Sequence, residues 1–220
     1  MRQIFLLISL LSLSSFISAQ ELKHKGRNIE EIIPQGWEII SADLGDLNKD
    51  GIADLAFITR NKNKDKENDT YDYTEENGTN DYTLAIYWGT SDGDFSHYKD
   101  WTGLLTPEDE YFSYDELNLE ITSRGTLKLK IHGFISAGSW TNPNFTVTYR
   151  YQKGAFYKIG YDSSEFHRGT GEGVKVSINY STGKRYVEPF SISDDENQKG
   201  YWETLKGEEK ILKKLGEETW

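Results

Sequence analysis

The stretch LNLEITSRGTLKLKI, residues 117–131, carries the pattern that decides the fold. Apolar and polar residues alternate strictly on both sides of a glycine-containing turn at residues 123–125. A period of two places every second side chain on the same face of a strand, so the stretch predicts a β-hairpin. Because Lys128 and Lys130 fall on the face opposite the leucines, we expect one face of this hairpin to be buried and the other solvated.

Two more hairpins are predicted further along the chain, one turning at Lys153-Gly154 and the other at Thr182-Gly183. The expected cross-strand sets are Phe145, Val147, Tyr149 and Tyr151 with Tyr157, Ile159 and Tyr161, and Val174, Val176, Ile178 and Tyr180 with Tyr186 and beyond. With shorter segments upstream this makes roughly ten strands. We therefore predict a mostly β fold, an antiparallel sandwich or open barrel built from hairpins, with short helices near the N- and C-termini.

The segments outside the hairpins predict two helices, a buried strand and a loop. Residues 28–33 form the first predicted helix, with Asn28 as its N-cap, and residues 208–215 form the second. Residues 53–59 are almost continuously apolar, which is typical of a strand in the middle of a sheet. Residues 61–81 offer almost nothing to bury, so we expect a mobile acidic loop between two paired strands.

The N-terminus has the composition of a secretory signal. Residues 1–19 combine a short basic start, an apolar run and a small residue, Ala19, at the expected cleavage point. An uncleaved anchor is the alternative, but the apolar run is short for a membrane span. We expect residues 20–220 to form a single β-rich domain exported to the periplasm, the cell surface or the extracellular space. The chain has no cysteine, which excludes disulfides and a lipid anchor at the cleavage site.

The charge balance limits the partners. The formal net charge is −11, and loss of Arg2 with the signal would take it to −12. An acidic surface repels nucleic acid and anionic membranes, so we expect neither as a partner, and no membrane span after signal cleavage. Aromatic residues make up 14% of the chain, which suits strands and also a surface that contacts carbohydrate or peptide. The expected partner is an unidentified protein or glycan.

The stretch GDLNKDGIADL, residues 45–55, is the strongest chemical signal in the chain. Asp46, Asn48, Asp50 and Asp54 stand at loop positions one, three, five and nine, and Gly51 stands at position six. A hard cation that takes six to eight oxygen ligands in flexible geometry requires this spacing, so the stretch predicts a calcium loop. The alternative is a turn without ligand, whose acids are solvated.

This loop resembles the FG-GAP or VCBS-type calcium motif of integrin alpha subunits and many secreted bacterial proteins. The resemblance implies one structural Ca²⁺ bound by the side chains of Asp46, Asn48, Asp50 and Asp54 and by the carbonyl of Ile52. An EF-hand would need a bidentate acid at the twelfth position, where Phe57 stands, so the short strand-loop-strand form is favoured. Residues 149–162 are similar to a segment of secreted bacterial proteins of unassigned function, which implies no activity.

No catalytic motif stands out elsewhere. The four histidines are far apart, and His132 continues the polar face of the first hairpin, where we expect it at the surface. Trp140 lies in a loop of small residues. It either belongs to a surface that recognises a partner or, as we favour, packs on the core. Acidic pairs for glycoside hydrolysis can be drawn from many residues, among them Glu108, Asp109, Glu110, Asp115 and Glu120, so this signal has little weight.

Two smaller features have plain structural interpretations. Asp92 and Asp94 flank Gly93 and predict a hairpin turn, and residues 169–173 predict the lead-in to a strand and not a nucleotide site. We therefore predict a non-enzymatic, calcium-stabilised β module with a binding or structural role. The alternatives are a periplasmic inhibitor or immunity-type protein, or a hydrolase that acts on carbohydrate or peptide.

Overall fold

The computed structural model describes residues 21–61, 82–105, 111–193 and 199–217. The predicted signal, most of the predicted loop at 61–81, and the acids Glu108, Asp109 and Glu110 lie outside these ranges. The elements are β1 (Lys25–Gly26), α1 (Ile29–Ile32), β2 (Trp37–Gly45), β3 (Asp54–Asn61), β4 (Tyr82–Gly89), β5 (Phe95–Thr102), β6 (Phe112–Ile121), β7 (Thr126–Ile135), β8 (Asn144–Gln152), β9 (Ala155–Phe166), β10 (Glu172–Asn179), β11 (Lys184–Ser191), β12 (Tyr201–Thr204) and a 3₁₀ turn (Gly207–Lys210).

The strands form two antiparallel sheets, which confirms the predicted fold class. Sheet A has the order β1-β5-β4-β3-β2, and sheet B has the order β12-β11-β10-β9-β8-β7-β6. Apart from β1, which pairs with β5, neighbouring strands in each sheet are consecutive in sequence. One of the two sheets is curled into a half-barrel. The first predicted hairpin has the expected register, with Leu119 opposite Leu129 and Ile121 opposite Leu127.

The predicted pairing in the second hairpin is only partly right. Val147 lies opposite Tyr161, but a register shift between Thr148 and Tyr149 places Tyr151 opposite Phe156. A bulge of this kind adds one residue to one strand and reverses which side chains face the core beyond it. Phe156 is therefore the buried residue near the turn, where the sequence pattern predicted Tyr157.

Strands β3 and β4 lie inside sheet A and are buried on both faces, as the apolar run predicts. On one face Phe57 and Tyr87 pack in a small cluster with Ile32 of α1. On the other face Ile58 and Ile86 pack in the main core, whose remaining members come mostly from sheet B. Helix α1 has the predicted cap, because the N–H of Glu31 donates to Asn28 Oδ1 over 2.9 Å.

The two sheets also meet along their edge strands β2 and β6. Ser41 Oγ accepts the N–H of Leu119 at 3.0 Å, and Asp43 Oδ2 accepts the N–H of Ile121 at 2.7 Å. Side chains of β2 thus replace the backbone partners that an edge strand otherwise lacks. This β2–β6 seam places the end of β2, where the acidic loop begins, against sheet B.

The predicted helix at residues 208–215 is wrong. Only a 3₁₀ turn forms, at Gly207–Lys210, and the chain then extends alongside β9. The carbonyl of Lys213 accepts the N–H of Lys158, the N–H of Leu215 donates to the carbonyl of Phe156, and Leu215 is buried in the main core. Pairing with β9 and burial of Leu215 outweigh the helical propensity of this short charged segment.

Candidate metal centre

The acidic loop joins β2 to β3, with Asp46 directly after β2 and Asp54 as the first residue of β3. Its backbone turns sharply, since Lys49 has φ of 69° and Gly51 has φ of 86°. Positive φ is unstrained for glycine, which explains the residue at position six. The loop therefore has the strand-loop-strand form that the sequence favoured over an EF-hand.

The first three predicted ligands hold the loop by hydrogen bonds to its own backbone. Asp46 Oδ1 accepts the N–H groups of Lys49 at 2.7 Å and Asp50 at 3.2 Å, and Asp46 Oδ2 accepts that of Gly51 at 3.1 Å. Asn48 Oδ1 accepts the N–H of Asp50 at 2.9 Å. Asp50 Oδ1 accepts the N–H of Ile52 at 2.8 Å, and its Oδ2 accepts from Asn48 Nδ2 at 3.0 Å.

Asp54 differs from the other predicted ligands because its side chain is fully buried. Its Oδ2 accepts the N–H groups of Leu47 at 2.8 Å and Asn48 at 3.3 Å, and its Oδ1 accepts that of Gly89 at 3.0 Å. Burial raises the pKa of Asp54, and these three backbone donors act in the opposite direction. Because Gly89 ends β4, this one carboxylate joins the loop to two strands of sheet A.

The loop also contacts sheet B. A side-chain carbon at Gly125, in the turn between β6 and β7, would overlap the Asp46 carbonyl and the end of the Lys49 side chain. Gly125 has φ of 65°, so the turn requires glycine for its backbone as well as for this close approach. The acidic loop is thus enclosed by β4 on one side and by the β6–β7 turn on another.

The donor set fits a hard cation chemically. Asp46, Asn48, Asp50 and Asp54 each have a side-chain oxygen that accepts a single hydrogen bond, which leaves one lone pair on that oxygen. All four are oxygen donors, as calcium requires. Counting only histidine, cysteine, aspartate and glutamate, no group of three in the described ranges is arranged to hold a metal ion. Asp46, Asp50 and Asp54 therefore do not form such a group among themselves.

The structure places two further candidate residues at the surface. His132 is exposed, as predicted. Trp140 is 64% exposed and stacks on His167 with 5.7 Å between ring centroids, so the preferred prediction that it packs on the core is wrong. The reason is Arg168, whose guanidinium donates to the carbonyls of Ile135 and Ser139 and fixes the Trp140 loop outside the strand ends.

The remaining candidates have structural roles or lie apart. The predicted turn around Gly93 is present, with the N–H of Thr90 donating to the carbonyl of Asp94 over 2.9 Å, and the Asp94 side chain pairs with Lys25 at 2.7 Å. Of residues 169–173, the first three lie in the turn between β9 and β10, and Glu172 and Gly173 begin β10. Glu120 pairs with Lys130 at 2.6 Å across β6 and β7, and Asp115 lies in the register shift of β6.

Sequence reasoning missed a groove on the polar face of sheet B. Its volume is about 460 Å³, and its lining includes Arg124, Lys128 and Arg150. The alternation of the hairpins indicated the polar face, but no contiguous motif marks a site that is built from four strands.

No family model, curated protein or solved structure matches this chain. Within the described residues, no helix is long and apolar enough to cross a membrane.

Proposed function

We propose that this chain is an exported, non-catalytic β module, with a binding or structural role in the periplasm or at the cell surface, and that one calcium ion stabilises it. The proposed ligands are the side chains of Asp46, Asn48, Asp50 and Asp54 and the carbonyl of Ile52. The signal-like composition of residues 1–19 supports export. When bound, the ion would neutralise three carboxylates that lie within nine residues of each other.

The observation that carries the proposal is the combination of donors and location. Four side-chain oxygens keep a free lone pair in a loop that contacts β2, β3, β4 and the β6–β7 turn. A cation at this place would hold together segments that are distant in sequence, because Gly89 and Gly125 both approach the loop. Such a role is structural, and it requires no chemistry from the ion.

The expected stabilisation is moderate. Extracellular calcium modules bind at about 10⁻⁴–10⁻³ M. With a Kd near 10⁻⁴ M and millimolar calcium, linkage adds about 1.4 kcal/mol to the free energy of unfolding. For a domain of this size that corresponds to a Tm change of about 3–6 °C.

The test compares thermal melts of the mature chain in millimolar calcium and in excess chelator. We expect the Tm to fall by about 3–6 °C with chelator. Asp50→Asn, which keeps a side-chain acceptor for the N–H of Ile52 but removes one charge, should lose most of this calcium response. Asp92→Asn, in a turn elsewhere, should retain it. Identical melts with and without chelator would rule out the calcium site.

A further inference from the structure

The groove on sheet B is built from one row of residues across four strands. Lys128 of β7 lies opposite Thr148 of β8, Thr148 lies opposite Gly160 of β9, and Gly160 lies opposite Asn179 of β10. Directly opposed residues share a face of the sheet. Because Gly160 has no side chain and Thr148 a short one, the middle of the row is low, and the longer Lys128 forms one side of the groove.

Three cations of this groove make no salt bridge within the described part of the chain. Arg124, Lys128 and Arg150 form no ion pair within the described ranges, although the protein has 36 acids and 25 bases. Other cations on the same face do form pairs: Lys130 with Glu120 at 2.6 Å and Lys175 with Glu188 at 3.4 Å. Glu120 lies directly opposite Lys128 in register, and the charge of Lys128 helps to lower its pKa, yet its salt bridge is with Lys130. The groove thus concentrates unpaired positive charge on an acidic protein.

The rest of the lining is hydrophilic. Thr126, Thr148, Ser177 and Asn179 supply hydroxyl and amide groups. Asp162 is held by Ser177 Oγ at 2.6 Å, so the groove also contains one fixed carboxylate acceptor. Only Ile159 and Ile178 among the lining residues are apolar. The site therefore offers cations for an anionic group and both donors and acceptors for hydroxyl groups.

We propose that this groove binds an acidic saccharide, a hydroxyl-rich chain that carries carboxylates, such as a short uronic-acid oligosaccharide. The volume of about 460 Å³ lies in the range of small-molecule sites. The net charge of −11 disfavours a dense polyanion such as nucleic acid. A peptide would need an apolar anchor pocket, which this lining does not provide. The proposal gives a ligand class to the binding role proposed above, but it does not require the calcium ion.

The test is isothermal titration calorimetry of the mature chain at low salt with a uronic-acid tetrasaccharide. Its methyl ester, which keeps the hydroxyl groups and removes the charge, and a tetraglutamate peptide are the comparison ligands. We expect binding of the uronate alone, weakened at least tenfold by Lys128→Gln or Arg150→Gln. Lys175→Gln, on the same face but paired with Glu188, is the matched control and should bind within about twofold of the unsubstituted chain.

The named outcomes separate the possibilities. Absence of heat with the uronate, equal binding of the ester or of tetraglutamate, or equal loss in the control variant would each overturn the proposal. Titrations in calcium and in chelator, with melts of the same samples, distinguish its failure from failure of the calcium site. A groove that fails to bind uronate in a protein whose Tm still responds to calcium refutes only the saccharide proposal.

Discussion

The acidic loop and the groove of sheet B differ in how far their charged side chains are bonded within the protein. In the loop, all four side chains predicted as ligands accept hydrogen bonds from backbone N–H groups. In the groove, Arg124, Lys128 and Arg150 form no ion pair within the described residues. Acidic side chains that accept hydrogen bonds from their own backbone stabilise the fold whether or not they also bind a cation. Cations without a salt bridge, next to others that have one, are more informative about an external ligand.

The largest expected effect tests the internal role of the loop. Asp54→Ala would leave the buried N–H groups of Leu47 and Gly89 and the half-buried N–H of Asn48 without their acceptor. At about 1–3 kcal/mol for each buried unsatisfied group, we expect a loss of at least about 2 kcal/mol in the free energy of unfolding. Urea denaturation in chelator measures this loss in the absence of calcium.

The control for this experiment is Asp50→Ala in the same buffer. Asp50 is exposed and its bonds lie within the loop, so we expect a loss below about 1 kcal/mol. If both variants lose the same small amount in chelator, Asp54 has no structural role apart from the metal, and the contrast between loop and groove is wrong.

An intermediate effect is expected at the β2–β6 seam, which carries the loop to sheet B. Asp43→Ala removes the acceptor of the Ile121 N–H and that of the Leu44 N–H. We expect a loss of about 1–2 kcal/mol, read from the urea midpoint. Ser123→Ala, in the exposed β6–β7 turn, serves as the matched control and should leave the midpoint unchanged. A midpoint for Asp43→Ala equal to that of the control would show that the seam contributes nothing.

What the sequence could predict depends on how local each feature is. The register of residues 117–131 follows from a short turn and strict alternation, and it is confirmed. The segment at 208–215 was mispredicted because its structure is decided by pairing with the distant strand β9 and by the burial of Leu215. Trp140 was mispredicted for a similar reason, since Arg168 lies on a different loop.

The candidate sites follow the same rule. The spacing from Asp46 to Asp54 is visible in one line of sequence, whereas the bonds of Asp54 to Gly89 and of Asp43 to Ile121 depend on the tertiary fold. The groove is harder still, because Lys128, Thr148, Gly160 and Asn179 come together only through three strand registers. One bulge, between Thr148 and Tyr149, sets the register on part of β8, and sequence alternation alone does not reveal it.

The smallest expected effect concerns Glu120, the acid nearest in register to the groove cations. The hydrogen bond from Lys130 lowers the pKa of Glu120 below its ordinary value of 4.5. A carboxyl whose pKa is lower in the folded state contributes stability above that ordinary value and loses it as the pH falls through the folded pKa. Because the pair is exposed, Glu120→Gln should cost less than about 1 kcal/mol at neutral pH and nothing in strong acid.

The same substitution should have the opposite sign for binding. Glu120→Gln removes a negative charge beside Lys128 and frees Lys130, so we expect uronate affinity to rise by about twofold at low salt and to return to the original value at high salt. Glu203→Gln, which removes one of the two acids paired with Arg185 outside the groove, is the control and should not change affinity. An affinity that falls with Glu120→Gln would mean that the groove cations do not attract the ligand through their charge, which is the property that distinguishes this groove from the acidic loop.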